Sequence, residues 1–428
     1  MRILHLPSTY FPAYTGGKEV FVHHLITNIP SAEHRVVVHE QDGYRQYTHN
    51  GVDVSVLPLP LAKDKRHAYF TNTYDALPGF SEILDEYKPD LVHFHDFCAG
   101  ASLSHLRICN QKGIKTLLTY HSPGSSCMQR GLTYAGIRPC DGRIDMQRCT
   151  ACRYQSAGFP TGLARVASQI RSGADKGGRV ILRNSTELFY NSWREFYDTV
   201  SKVHVYALWL KDMLVRNHIS SEKIHFIDMG GHAALERNEL PEKKMNQPLK
   251  IVFSGRCTNI KGAHILVEAI KLLPSDIPLE VHFFGPYWDD TAYGKSVQEM
   301  VHGDARFKAP RMIAPAEIVE ELKQMDICVI PSLWPETGPL SLFDAFAAGL
   351  PVIGTRLAGI AERVKDGENG LLFEWGNSRD LANKLKQVLT DRPFLEKLRI
   401  SIRDNKTFEE AAREIEQLYS SIVGKYEN

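Results

Sequence analysis

The 428-residue sequence has no run of about 18 apolar residues, so it offers no hydrophobic transmembrane helix. Its opening, MRILHLPSTYF, reaches Pro7 and polar residues too soon to supply the apolar core of a signal peptide, and a cytoplasmic protein is expected. Charge of one sign is also lacking. The 51 Lys and Arg against 50 Asp and Glu leave a formal charge of +1, which excludes a global attraction to nucleic acid or anionic membrane. One local exception is a stretch where Arg165, Arg171, Lys176, Arg179 and Arg183 face only Asp175. It reads either as a solvated helix and loop or as a peripheral contact with anionic lipid, at the inner face of the membrane, or with a phosphorylated acceptor. Cysteine is scarce, and 8 in so long a chain do not make a secreted disulfide framework. No internal repeat or low-complexity tract occurs.

What is present is the composition of an ordinary globular protein, 43% hydrophobic and 24% charged, which fits neither disorder nor a fibre. The length is two to three times that of a usual domain, so two domains are expected. In the first half, short apolar runs at 2–6, 35–39, 52–57, 90–95 and 115–120 alternate with longer amphipathic segments such as 18–29. That pattern predicts parallel strands covered by helices, an α/β doubly wound domain over 1–230. From residue 249 it restarts with runs at 250–254, 279–284, 326–331, 351–355 and 370–373, predicting a second domain of the same class over 249–405. The polar stretch 229–248, containing GGH, reads as the linker. An amphipathic helix in 406–428 is a candidate to cross back to the first domain. The irregular segment 122–160, rich in Gly, Ser, Arg and Cys, is too long for a plain connection and needs a stabiliser or a function.

The most informative window is PSLWPETGPLSLFDAFAAGLPVIGTRLAGIAERVKDGENG, residues 331–370. A strand end at Pro331 and Ser332 leads into a loop holding Glu336, and a helix is predicted to begin near Pro339, where a fixed φ and a missing N–H cost nothing. Asp344 follows Glu336 by eight residues. A helix start offers N–H groups and a positive dipole end suited to a diphosphate. Asp344, about five residues into the helix, would lie ~7–8 Å along its axis. Two acids so spaced can serve opposite sides of a bound phosphate group, although acids in a first turn often only complement the dipole.

This window resembles the signature of family-4 retaining glycosyltransferases with the GT-B fold. The match rests on Glu336, Ala345, Ala347, Ala348, Gly349, Pro351, Val352 and Ile353, with Gly359, Glu362, Asp366, Gly367 and Gly370 beyond. The sequence departs at Asp344, where the family usually has Glu, and at Pro339, where it often has Gly. The resemblance implies two Rossmann-like domains facing each other across a cleft. It implies a nucleotide-diphosphate sugar donor held mainly by the second domain, through Gly338, Pro339, Leu340 and Asp344, with Glu336 at the transferred sugar. FSGRCTNIKG resembles the family's diphosphate grip, so Arg256 and Lys261 are the candidate cations, able to replace a metal ion; an exposed loop Arg and a helix-start Lys are the alternative. Gly16 and Gly17, in Tyr14-Thr15-Gly16-Gly17, let backbone approach a ligand closely, or form a plain tight turn. His121, ending the run 115–120, resembles the family residue that contacts the donor sugar from the first domain. His93 and His95 are expected on alternate faces of their strand, in packing or cleft roles.

Cys127, Cys140, Cys149 and Cys152 form C-x12-C-x8-C-x2-C inside the irregular segment. Four thiolates suit a structural zinc ion in place of a missing core, the alternative being unligated thiols packed in a flap. The remaining cysteines read as packing.

The expectation is therefore a retaining glycosyltransferase needing no catalytic cofactor, acting on a glycan, lipid-linked or small-molecule acceptor. No Asp-x-Asp pair provides the metal-dependent donor site of the other large glycosyltransferase fold. The rivals are a GT-B epimerase or phosphorylase and a non-catalytic nucleotide-sugar-binding subunit; a nucleic-acid binder is excluded by the absence of a basic domain.

Overall fold

The computed structural model describes residues 1–12, 16–169, 182–233, 248–402 and 406–424. The chain divides into two compact units, one comprising Met1–Asp228 and Glu409–Asn428 and the other Met229–Phe408. No helix among the described residues is long and apolar enough to cross a membrane.

The first unit is built on an eight-stranded sheet. Its strands are β1 (Arg2–Leu6), β2 (Glu33–Glu40), β3 (Arg45–His49), β4 (Val52–Pro58), β5 (Leu91–Phe94) and β6 (Lys115–Thr119); β7 (Thr133–Tyr134) and β8 (Arg138–Pro139) form a separate hairpin, and β9 (Lys202–Val205) and β10 (Ile224–Phe226) complete the sheet. The order is β10-β9-β6-β5-β1-β2-β4-β3, parallel except for β3. Five strands were legible as apolar runs. β3 carries RQYTH, and β9 and β10 are only KVHV and IHF, too short and too polar to announce themselves. The chain goes from β1 to β2 on one side and later to β5 on the other, which makes the C-terminal ends of β1 and β5 a topological switch point, where doubly wound folds bind ligands.

The second unit has five parallel strands, β11 (Leu249–Ser254), β12 (Leu279–Phe284), β13 (Ile327–Ile330), β14 (Val352–Thr355) and β15 (Gly370–Phe373), in the order β12-β11-β13-β14-β15. Ile251 and Phe253 enter one core, whereas Val252 enters the other. Burial of both faces is why these strands read as continuous apolar runs rather than alternating ones. The switch point lies between β11 and β13.

The helix Phe408–Val423 packs in the first unit, where the Tyr419 hydroxyl lies 2.7 Å from Nδ1 of the buried His93.

Candidate active site

At the switch point of the second unit, the loop after β13 buries Glu336, which is 4% exposed. Its Oε1 accepts from Ser332 Oγ at 2.6 Å and from Lys261 Nζ at 2.7 Å. Lys261 ends a single turn after β11, and its ammonium also lies 5.6 Å from the centre of the Trp334 ring. Gly262 makes this approach available. It has φ +74°, and a Cβ there would sit 2.0 Å from the Pro331 carbonyl oxygen, so only glycine lets the β11 loop close on the end of β13. On the other side, Gly359 N donates to Glu336 O at 3.0 Å, and a Cβ on Gly359 would lie 2.6 Å from that oxygen. The carboxylate is thus fixed through its backbone and both partners. Arg256 also follows β11, exposed and in no ion pair among the described residues.

Pro339 caps the helix Leu340–Ala347 with extended backbone, and Gly338 and Leu340 flank it, half-buried. Asp344 lies inside that helix and is buried. Its Oδ1 pairs with His232 Nδ1 at 3.0 Å. Burial pushes the Asp344 carboxyl up, with the histidine pulling the other way. At His232, whose side chain keeps 31% of its exposure, the hydrogen bond to Asp344 outweighs burial and raises the imidazole. His232 stands in the GGH read as linker. Gly231 pairs with Thr407 and would bring a Cβ within 2.8 Å of Phe343 Cβ, so the small residue before it is the signal that this segment presses onto the helix. Residues 234–247 of the expected linker lie outside the described residues.

In the first unit, Gly16 caps the helix Gly17–Thr27. Tyr14 and Thr15 lie outside the described residues, as do Arg171, Lys176 and Arg179 of the basic stretch. The two residues after the glycines, not singled out from sequence, form the polar centre of this switch point. Lys18 Nζ lies 2.7 Å from Asp96 Oδ2 and also meets Ser8 Oγ, while Thr9 Oγ1 donates to Glu19 Oε1 at 2.5 Å. Asp96 directly follows the His93 and His95 strand end.

The expectation that His93 and His95 alternate faces is corrected: residues two apart share a face of a strand, and their ring centres are 3.9 Å apart. They belong to a larger network. His34 Nε2 lies 3.0 Å from Ile29 O, His34 Nδ1 lies 2.9 Å from His5 Nε2, His5 Nδ1 lies 3.0 Å from His95 Nε2, and His95 Nδ1 lies 3.0 Å from His121 Nε2. His121 Nδ1 then meets the Tyr206 hydroxyl. A carbonyl only accepts, so His34 must carry its proton on Nε2. Each neutral imidazole has one donor and one acceptor, so His5, His95 and His121 follow in turn as Nε2–H tautomers, and Tyr206 donates to His121. Burial, with neighbouring cationic groups, holds His5, His95 and His121 well below the usual imidazole range, which keeps the chain neutral. One nitrogen each from His5, His93 and His95 lies within 4.8 Å of the others, the one such metal-type group among the described residues. Hydrogen bonds within the chain already use the His5 and His95 nitrogens.

Cys127, Cys140, Cys149 and Cys152 line one cavity of 30 Å³. Cys140 follows directly on the β7–β8 hairpin, and the helix Met146–Ser156 carries the C-x2-C pair, Cys149 and Cys152. Cys152 Sγ accepts from Ala135 N at 3.1 Å, and Arg148 Nη2 lies 3.6 Å from Cys140 Sγ. Burial pushes the Cys127, Cys149 and Cys152 thiols up. No three of the sulfurs lie within 4.8 Å of one another. The donor set suits zinc, and the cavity gathers it loosely.

Comparison with known proteins decides the family. The family described as Glycosyltransferase Family 4 matches residues 15–160, and that described as Glycosyl transferases group 1 matches residues 248–391. The chain belongs to the family-4 glycosyltransferases. An uncharacterized glycosyltransferase of Methanocaldococcus jannaschii is 24% identical over 410 residues, covering 95% of this chain and 92% of that one. A D-inositol 3-phosphate glycosyltransferase of Corynebacterium urealyticum is 29% identical over 188 residues; the match takes in 40% of this chain and 43% of that protein, less than half its length. Among solved structures, sucrose-phosphate synthase from Thermosynechococcus elongatus aligns with a TM-score of 0.66 at 17% identity, over 99% of this chain and 100% of that one. Anabaena HepE in complex with UDP and glucose aligns with a TM-score of 0.62 at 14% identity, over 98% and 99%. This family-4 chain accordingly has the GT-B fold, with two Rossmann-like units.

Proposed function

We propose that the protein is a retaining glycosyltransferase that takes a sugar from a nucleoside diphosphate sugar and needs no metal for the chemical step. The observation that carries this reading is the Lys261–Glu336 pair at the β11/β13 switch point, its carboxylate buried, with the exposed Arg256 on the same segment after β11. Lys261 and Arg256 would meet the diphosphate and stabilise the charge that develops on it as a leaving group. Glu336, already held by Ser332 and Lys261, would take the hydroxyls of the transferred sugar, and Asp344 would take the ribose diol. The neutral His121, near enough to the Lys18 ammonium to feel its charge, would contact the sugar from the first unit. Such an arrangement supports departure of the phosphate and entry of the acceptor hydroxyl on one face, rather than a double displacement by two carboxylates. UDP complexes of HepE support a nucleoside diphosphate as the donor moiety. The test is a screen of nucleoside diphosphate sugars with acceptor glycans, reading released nucleoside diphosphate and the anomeric configuration of the product by NMR. Release that depends on acceptor, with retained configuration, supports the reading; an epimerised donor or an inverted product refutes it.

The four cysteines are proposed to hold one structural zinc ion that tightens the 122–160 segment. Contact with an anionic membrane is also proposed, through Phe159, Leu163 and Val166, exposed at four- and three-residue spacing beside the exposed Arg165. Co-sedimentation with phosphatidylglycerol vesicles tests it: Leu163→Ser with Val166→Ser should abolish pelleting, and pelleting unchanged in that variant would refute it.

A further inference from the structure

Asp344 faces an electrostatic difficulty that Glu336 does not. Glu336 has the Lys261 ammonium at 2.7 Å, whereas Asp344, inside the helix Leu340–Ala347, is in no ion pair with a Lys or Arg among the described residues, and its side chain keeps only 11% of its exposure. Burial drives such a carboxyl toward its neutral form. That matters for a ligand with a vicinal diol, which brings two O–H donors. An ionised carboxylate accepts on both oxygens; a protonated one turns an acceptor into a donor.

The group that answers the difficulty is His232. Its Nδ1 meets Asp344 Oδ1 at 3.0 Å, and that hydrogen bond favours the charged form of both partners. The imidazole reaches Asp344 on a backbone fixed from two sides. Gly231 N donates to Lys406 O at 3.0 Å, Gly231 O accepts from Phe408 N at 2.9 Å, and the Phe408 ring meets the imidazole edge-on at 5.5 Å between centres. On the other side, the missing Cβ of Gly231 lets the segment rest on Phe343, the residue before Asp344. The contact occupies Oδ1 and leaves Oδ2. Among the described residues Oδ2 accepts no hydrogen bond, yet it is not one of the partnerless polar atoms sealed from solvent.

A buried carboxylate with one oxygen fixed and the other within reach is an acceptor waiting for a donor. We infer that His232 is a positioning residue for nucleotide binding: through Nδ1 it keeps the Asp344 carboxylate ionised and oriented, so that Oδ2 accepts from the ribose hydroxyls of the donor. This rests on the glycosyltransferase reading and deepens it, since recognition of the ribose then belongs to a His–Asp pair rather than to one acid. A contact that only fastened residues 231 and 232 to the helix would stabilise the fold with no regard to ribose, and the two roles part on that point.

The test is calorimetry on the full chain with UDP, ADP and GDP, each against its 2′,3′-dideoxy counterpart, for the wild type, His232→Ala and His232→Asn. The asparagine amide can donate from near the place of Nδ1, so this variant keeps the hydrogen bond without the charge. The inference expects the wild type to bind one ribonucleotide about tenfold or more tightly over its dideoxy form, the worth of a hydrogen bond to a charged group. In His232→Ala the preference should fall to about twofold or less through loss of ribonucleotide affinity, with the dideoxy form bound as before, and His232→Asn should recover most of it. A preference unchanged in His232→Ala, or equal weakening of both forms, would overturn the inference, as would a His232→Asn no better than His232→Ala. Nucleotide binding by the wild type without any ribose preference would overturn the His232 and Asp344 roles alone. Failure of every nucleotide to bind the wild type would bring down the glycosyltransferase reading and this inference with it.

Discussion

Nδ1 of His95 lies 3.0 Å from Nε2 of His121, and through that contact the Ile29 carbonyl, three imidazoles away, dictates where His121 carries its proton. The residue singled out as a sugar contact is therefore not an independent side chain. It is the last member of a polarised chain, with Nε2–H turned to His95 and Nδ1 engaged by Tyr206.

The first prediction is this tautomer. Two-dimensional ¹⁵N NMR of the imidazoles should find His5, His95 and His121 as Nε2–H at pH 7.5. His34→Phe, which removes the link to the carbonyl, should leave His121 as a mixture. An Nδ1–H His121 in the wild-type protein would contradict the chain as drawn.

A second prediction concerns acid. His5, His93, His95 and His105 are fully buried, and burial, the largest cause at each, holds them well below the ordinary imidazole range. In the unfolded chain they titrate near 6.5, so below that pH the unfolded state binds protons that the native state refuses, and stability falls. Each contributes up to about 1.4 kcal/mol per pH unit below 6.5 and nothing more above about 7.5. The Tm should be flat from pH 7.5 upward and drop steeply between 6.5 and 5.5; equal Tm values at 5.5 and 7.5 would contradict it.

The Gly262 turn should be intolerant. Gly262→Ala places a Cβ against the Pro331 carbonyl at positive φ, costing about 1–3 kcal/mol from the backbone alone and more from the clash. Urea unfolding should show that loss, and nucleoside diphosphate binding should weaken as Lys261 is pushed off Glu336. An unchanged urea midpoint would contradict the close approach.

For the cysteine cavity, elemental analysis should find about one zinc per chain, lost on Cys149→Ser with Cys152→Ser. Metal-free protein with four titratable thiols in its native state would refute the site.

These residues differ in how far the sequence revealed them. Glu336, Asp344 and Lys261 were singled out because the windows around them resemble the family's motifs; local rules placed a strand end, a loop and a helix start there but gave no role to the side chains. His232 was not, because it acts across more than a hundred residues and sits in a stretch whose glycines look like a hinge; only tertiary packing on Phe343 shows their purpose. The histidine chain was missed for a related reason. Its members come from β1, β2 and the residues just after β5 and β6, and sheet order, which periodicity does not supply, makes them neighbours. Lys18 and Asp96 were likewise ordinary charges until the switch point joined β1 to β5.

The central claim, that Lys261 and Glu336 form the donor site, is most directly tested by one comparison: acceptor-dependent release of nucleoside diphosphate by the wild type, Lys261→Ala and Glu336→Gln. The account predicts that Lys261→Ala raises KM and lowers kcat together. Glu336→Gln should lower kcat by two orders of magnitude or so while nucleoside diphosphate still binds, since its contacts matter most where charge develops. Wild-type kinetics in both variants would contradict it.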